Sequence, residues 1–359
     1  MSWSVVDFLL HILRIESFTG NEDELSRFIE ADIRDAWKGH EDSLRIQRIG
    51  QSFVVFGPFD PSKKTLLLAG HLDTVPGDDI GDRVRIEGDR IIGRGASDMK
   101  AGVAVMRGVI RPEIVLNSRF NLIEIFYDGE EGPHAGNGLH QVLAECADIR
   151  RADLAIVLEP TNMTLHLGCL GGIHADVTVE GKSAHSARPW EGDNAIYKAI
   201  PLLERLAALR PVVQEVEGLP FREVISATIL SAGKTRNIVP GSVTVGINVR
   251  FGPRTTVEVA LERLRSVVGS DGVLEIRDVS PSCDVPSENK LLDEFVAQFA
   301  LQRHPKQAYT DVALLSSVGI PSCNFGPGLT AQCHQEGEYV LASDLRRALE
   351  MIETFTVAG

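Results

Sequence analysis

A chain of 359 residues is long enough for two domains, and its 43% apolar and 24% charged side chains are ordinary for a globular protein. The formal charge of −14 argues against recognition of nucleic acid or an acidic membrane through a basic patch. No apolar run approaches the length needed to span a bilayer, and five cysteines (Cys146, Cys169, Cys283, Cys323, Cys333) without Cys-x-x-Cys spacing fit reduced thiols in a cytoplasm.

The first predicted element, Val5 to Arg14, carries charges inside its apolar pattern and reads as a core-facing helix, not a signal peptide. Thr19-x-x-Glu22 reads as a capping box opening a second helix. Lys64 to Gly70 is a short apolar run with the look of a buried strand, and it ends at His71-Leu72-Asp73. Gly93 to Gly102 is rich in turn residues and leads into a helix-like run from Val103, which puts Asp98 near a helix N-terminus, where a carboxylate stays ionised. Phe120 to Tyr127 is a second buried strand, followed by Glu130-Glu131, and Ala152 to Leu158 a third, followed by Glu159. His334 comes much later. Polar groups delivered to the carboxyl ends of neighbouring strands converge on one site.

Residue types and placement describe a dinuclear zinc centre. Two Zn²⁺ bring four positive charges, ligation by Asp98, Glu131 and Glu159 removes three, and His71 and His334 are neutral. The residual charge favours deprotonation of a water between the metals. Of the adjacent pair Glu130 and Glu131, one is suited to bind metal while the other takes the proton. Asp73 would orient His71 or stiffen the site.

Between the early ligands and His334 lies a segment with its own pattern. Strand (His174 to Val179), helix (Asn194 to Leu209), strand (Val224 to Ser231), strand (Ser242 to Arg250), helix (Thr256 to Val268) and strand (Val273 to Asp278) make a β-α-β-β-α-β unit of ferredoxin-like type. Gly171-Gly172 opens it and the run from Ser280 to Pro286 closes it. Residues 1–172 and 284–359 therefore form one domain interrupted by a second, 173–283.

The motifs His71-Leu72-Asp73-Thr74-Val75-Pro76, Gly93 to Lys100, Glu130-Glu131-Gly132, Glu159-Pro160 and His334-Gln335-Glu336-Gly337-Glu338 resemble, in order, those of the M20 metallopeptidase and deacylase family. The resemblance covers essentially the whole chain. It implies an α/β fold, with a zinc-aminopeptidase-like catalytic domain whose central mixed sheet is flanked by helices, and an inserted α+β lid and dimerisation domain. It implies further that His71 and Glu159 hold one zinc, Glu131 and His334 the other, that Asp98 bridges them and that Glu130 is the general base, with Co²⁺ or Mn²⁺ able to substitute. Gly337 stands where the family has Asn or Asp.

In the insert, Gly181 to Pro189 and Asp193-Asn194-Ala195 resemble the family's second-domain signature. By that resemblance His185 enters the active site of the partner in a homodimer and donates to the oxyanion, Asn237 contacts substrate, and Arg250 binds a substrate carboxylate. Arg188 is either a further carboxylate-binding cation or a surface charge. Within the family, the runs Gly168 to Gly172, His185 to Trp190, Tyr309 to Val312 and Asn324 to Gly328 look most like the desuccinylase branch of actinobacterial type, which acts on N-succinyl-L,L-diaminopimelate. Cys169-Leu170-Gly171 replaces the arginine-rich turn of proteobacterial members. An acetylornithine deacetylase and a dipeptidase or carboxypeptidase remain as alternatives.

Overall fold

The computed structural model describes residues 3–357. The chain divides into two compact units. The first runs to Leu167 and resumes over Pro286–His304 and from Leu314 onward; the second comprises Gly168–Val285 and Pro305–Ala313.

An eight-stranded sheet organises the first unit, in the order Arg45–Ile49, Ser52–Phe56, Asn121–Tyr127, Thr65–His71, Leu154–Val157, Ser322–Asn324, Leu165–Leu167 and Arg303–Pro305. The sheet is mixed: the four central strands run parallel, while Ser52–Phe56 pairs antiparallel with Asn121–Tyr127 and Leu165–Leu167 antiparallel with Ser322–Asn324. Every residue of Asn121–Tyr127, Thr65–His71 and Leu154–Val157 is buried, which is why these strands read as continuous apolar runs without alternation. Their register puts His71 beside Tyr127 and Ala69 beside Val157, so Glu130 and Glu159 follow strand ends at nearly the same level as His71.

Helix Lys100–Val109 packs on strand Thr65–His71 and on the helices Val5–Arg14 and Ala342–Val357. Gly102 allows the close approach, since a Cβ there would stand 2.2 Å from the Leu158 carbonyl oxygen. The helix expected to open with a capping box instead begins at Asp23, and its N-cap Glu22 makes no side-chain cap bond. Thr19 is diverted: its hydroxyl donates to Asp73 Oδ2 at 2.9 Å.

The second unit carries a five-stranded antiparallel sheet in the order Val212–Val216, Leu219–Ala232, Ser242–Phe251, Gly171–Glu180 and Val273–Ser280. Helices Ala195–Ala208 and Val257–Val268 contribute Ala199, Leu202, Leu206, Ala260 and Leu264 to a core with Val177, Val245, Ile247 and Val249 of the sheet. The four strands and two helices of the β-α-β-β-α-β pattern are all present, and a fifth strand, Val212–Val216, is added at one edge. It forms through a hairpin at Glu217-Gly218, both with φ > 0, as a tight two-residue turn requires. Residues 305–313, which the sequence pattern assigns to the first domain, group with the second unit. Leu170 donates to the Ala308 carbonyl, and the Gln307 side chain accepts from Arg222 and donates to the Pro220 carbonyl.

Candidate metal centre

His71 ends its strand fully buried. Its Nδ1 lies 3.0 Å from the Asp73 backbone carbonyl oxygen, which assigns the ring proton to Nδ1 and leaves the Nε2 lone pair facing outward. That Nε2 is 3.3 Å from Asp98 Oδ1 and 3.7 Å from Glu159 Oε1. The other Asp98 oxygen, Oδ2, is 3.5 Å from His334 Nε2, which in turn lies 2.9 Å from Glu131 Oε1. Asp98 thus presents one oxygen to each of two donor groups, His71 with Glu159 and His334 with Glu131. Bonds of 2.0–2.1 Å in a tetrahedral zinc site set ligand atoms about 3.3 Å apart, close to the observed spacings. Glu130 also reaches this place, with a carboxylate oxygen within 4.8 Å of ligand atoms on His71 and Glu131. The residue pair therefore does not split to opposite sides as an extended backbone would split it, because Asp128 to Gly132 forms a turn.

The electrostatics of the cluster call for cations. Burial pulls the His71 imidazole down, but its hydrogen bonds to Asp73 and Asp98 outweigh that and hold it well above its ordinary value. Asp98 and Glu131 push His334 up to about 10. A divalent metal and a proton compete for the same Nε2 lone pairs, so this carboxylate set fits a pair of divalent cations. His334 adopts φ 62°, an unfavoured backbone for a residue with a side chain and one that clusters at functional sites.

Three buried carboxylates hold the loops that present these groups. Asp73 Oδ1 accepts from the Glu130 N–H at 3.0 Å and Oδ2 from the Glu131 N–H at 2.9 Å. It therefore fixes the Glu130-Glu131 backbone as well as touching His71, and being fully buried it is a positioning residue. Glu22 Oε1 accepts from Gly20 at 2.8 Å and Gly129 at 3.2 Å, bracing the same turn; burial pushes its carboxyl up, although the Gly20 N–H opposes this. Glu338 collects the N–H groups of Gly95, Ser97 and Asp98 at 3.0, 2.8 and 2.9 Å, with Arg94 Nη1 at 3.3 Å. The helix begins at Lys100 with Met99 as its N-cap, so Asp98 stands just before the helix N-terminus as expected, and Glu338 additionally anchors its backbone. Sequence reasoning gave neither Glu22 nor Glu338 a positioning role. Gly337 has φ 70° and donates to Asp79 Oδ2 at 2.8 Å. Glycine adopts this conformation without the steric cost of a side chain.

The remaining sequence candidates lie in the second unit. His185 is exposed on a two-residue strand, and its Nδ1 accepts from the Ala187 N–H at 3.1 Å. With Nδ1 accepting this bond, Nε2 is the ring nitrogen left to donate. Arg250 is half-buried, its guanidinium pulled down by burial, and has no carboxylate partner among the described residues. Asn237 is exposed and its backbone carbonyl accepts from Ser186. Arg188 is exposed and lies 3.8 Å from Glu191, the behaviour of a surface charge.

Residues 67–357 match the model of peptidase family M20/M25/M40. The chain is 32% identical over 357 residues to a putative succinyl-diaminopimelate desuccinylase DapE of Mycobacterium tuberculosis, covering 98% of this chain and 97% of that one. It is 32% identical over 284 residues to a succinyl-diaminopimelate desuccinylase of Corynebacterium glutamicum, covering 76% and 75%. The fold is shared with the Bacillus subtilis YXEP protein, described as a dinuclear metal binding peptidase from M20 family, at a TM-score of 0.70 and 15% identity over 98% of this chain and 96% of that one.

Proposed function

The chain belongs to peptidase family M20/M25/M40 and is a hydrolase of amide bonds; from that premise we propose that it cleaves N-succinyl-L,L-diaminopimelate to succinate and L,L-diaminopimelate, in the synthesis of lysine and diaminopimelate. The observation that carries the substrate assignment is the 32% identity, over nearly the full length of both chains, to a desuccinylase relative. The donor cluster around Asp98 supports the chemistry.

In this reading His71 and Glu159 hold one divalent cation, Glu131 and His334 a second, and Asp98 serves both. Zinc is the proposed metal, with cobalt or manganese able to replace it, since imidazole and carboxylate donors suit all three. When bound, the pair supplies Lewis acidity that polarises the amide carbonyl and makes a water acidic enough to deprotonate near neutral pH. Glu130 takes that water's proton and returns it to the leaving amine. His185 of the partner subunit donates its Nε2 hydrogen to the developing oxyanion. Arg250 offers a guanidinium fork to a substrate carboxylate, Asn237 contacts substrate from its own turn, and Arg188 is a weaker candidate.

The protein is proposed to act in the cytoplasm as a homodimer joined through its second unit. Support comes from strand Leu219–Ala232, whose last seven residues are exposed, with Ile229 and Leu230 62% and 59% accessible, and from the exposed Ile196, Tyr197 and Ile200 on the neighbouring helix. An exposed apolar edge strand of that kind is normally covered by a partner.

The deciding assay offers the metal-loaded protein N-succinyl-L,L-diaminopimelate, N-acetyl-L-ornithine and a simple dipeptide side by side. A preference of several orders in kcat/KM for the succinyl substrate is expected; preference for either other compound would replace the substrate while keeping the family's chemistry. Glu130→Gln should retain metal and lose about 10²–10⁴-fold in kcat.

A further inference from the structure

The long segment of the second unit starts at Gly168 and ends at Val285, and one residue pair ties its two ends together. Cys169 and Cys283 face each other in an isolated antiparallel bridge. Each donates its backbone N–H to the other's carbonyl, at 3.0 and 3.1 Å. Residues that exchange both bonds have Cα atoms about 5.5 Å apart, inside the span of roughly 4.4–6.8 Å that a disulfide bridges. Directly opposed side chains leave the same face of a ladder, which puts the two thiols side by side. Cys169 Sγ also approaches the Thr310 carbonyl at 3.7 Å, and Cys283 Sγ the Asp284 carbonyl at 3.2 Å. The other three cysteines, Cys146, Cys323 and Cys333, belong to the first unit.

We propose that Cys169 and Cys283 are a redox-active dithiol that closes to an intramolecular disulfide across the ends of the inserted segment, with a hydroperoxide as oxidant. One thiolate attacks the peroxide, the O–O bond breaks, and the sulfur becomes a sulfenic acid as the first oxygen leaves. The second sulfur then attacks it, the S–S bond forms, the S–O bond breaks and the hydroxyl departs as water. Two electrons pass from the sulfurs to the peroxide, and the two thiol protons end on the two oxygens released. Burial holds the Cys169 thiol well above its ordinary value, so little thiolate is present and closure is slow.

The bond fixes 169 to 283 and thereby limits how far the unfolded insert can expand, so the oxidised protein has the more stable second unit. It does not depend on which amide is hydrolysed, and its test reads thiols, not turnover. Native protein is incubated with hydrogen peroxide, quenched, unfolded so that all thiols are exposed, alkylated, digested and mapped by mass spectrometry. The expected result is a cross-linked peptide joining Cys169 to Cys283, a fall from five alkylatable thiols to three, and a mass lower by about 2 Da, all reversed by dithiothreitol. Cys323→Ser should leave the cross-link intact and Cys283→Ser should abolish it. Since a serine at a buried site can weaken folding, the wild-type peptide map is decisive by itself. Cys169 and Cys283 that remain alkylatable, that oxidise to sulfonic acids without joining, or that join only in denaturant would overturn the proposal.

Discussion

At the scale of single residues, the centre depends on carboxylates that meet backbone amides as much as on those that face the imidazoles. Glu338→Gln replaces an acceptor of three N–H groups with an amide whose NH₂ end must face one of them. Affinity for at least one metal should fall about 10–100-fold, and Glu338→Asp should recover part of it. Asp73→Asn should lower kcat on a similar scale by loosening the Glu130-Glu131 turn, and isothermal titration with zinc beside steady-state kinetics separates the two effects. Unchanged metal binding and turnover in both variants would remove the positioning role. A different residue contributes to the pH dependence of stability. Glu124 is fully buried in the central strand with neither carboxylate oxygen hydrogen-bonded, and burial raises its pKa well above 4.5 despite the pull of Arg107. The folded state keeps this proton where the unfolded chain has released it, so the group's contribution to stability falls as pH rises above about 4.5 toward its folded pKa. Glu124→Gln should remove that slope, and Glu124→Leu should stabilise by about 1–3 kcal/mol near neutral pH. Denaturant melts across pH check both, and parallel profiles for wild type and variant would contradict them.

At the scale of elements, the placement of helix Lys100–Val109 turns on Gly102. Alanine is the better helix former by about 1 kcal/mol, yet its Cβ would stand 2.2 Å from the Leu158 carbonyl oxygen, next to Glu159. Gly102→Ala should therefore destabilise by about 2 kcal/mol or more, and weaken metal binding by displacing the loop that bears Glu159; a neutral or raised melting temperature would show that the helix can back away. The strands that deliver His71, Glu130 and Glu159 were legible because their burial leaves uninterrupted apolar runs, each closed by polar residues at the carboxyl end. Their shared level, visible in the register, brings the distant residues together. What the sequence did not disclose is equally physical. Glu22 and Glu338 resemble any acidic residue until their backbone partners, in segments far along the chain, are known. Val212–Val216 is an edge strand with most residues exposed and so lacks a clear alternating pattern. Residues 305–313 join the second unit through backbone and amide bonds that no hydrophobic period marks.

At the scale of the whole molecule, the proposed sharing of His185 between subunits would make activity a property of the dimer. Mixing His185→Ala with Glu130→Gln protein under exchange conditions should restore up to about a quarter of wild-type activity, because half of the random dimers are mixed and each contains one intact site. Ile229→Glu on the exposed strand edge should shift sedimentation toward the monomer and lower turnover with it. Full activity of a monomeric variant would count against the shared site. The chain order of the Glu338 clamp also sets a timetable for synthesis. Asp98 and its loop leave the ribosome early, while the carboxylate that secures the amides of Gly95, Ser97 and Asp98 is made only after the entire inserted segment. A growing chain therefore carries this loop unclamped, with Asp98 present but not yet held, and the arrival of Glu338 close behind His334 completes the proposed ligand set and its brace together. Capture of a metal ion by the proposed ligand set would thus wait until its brace has been built.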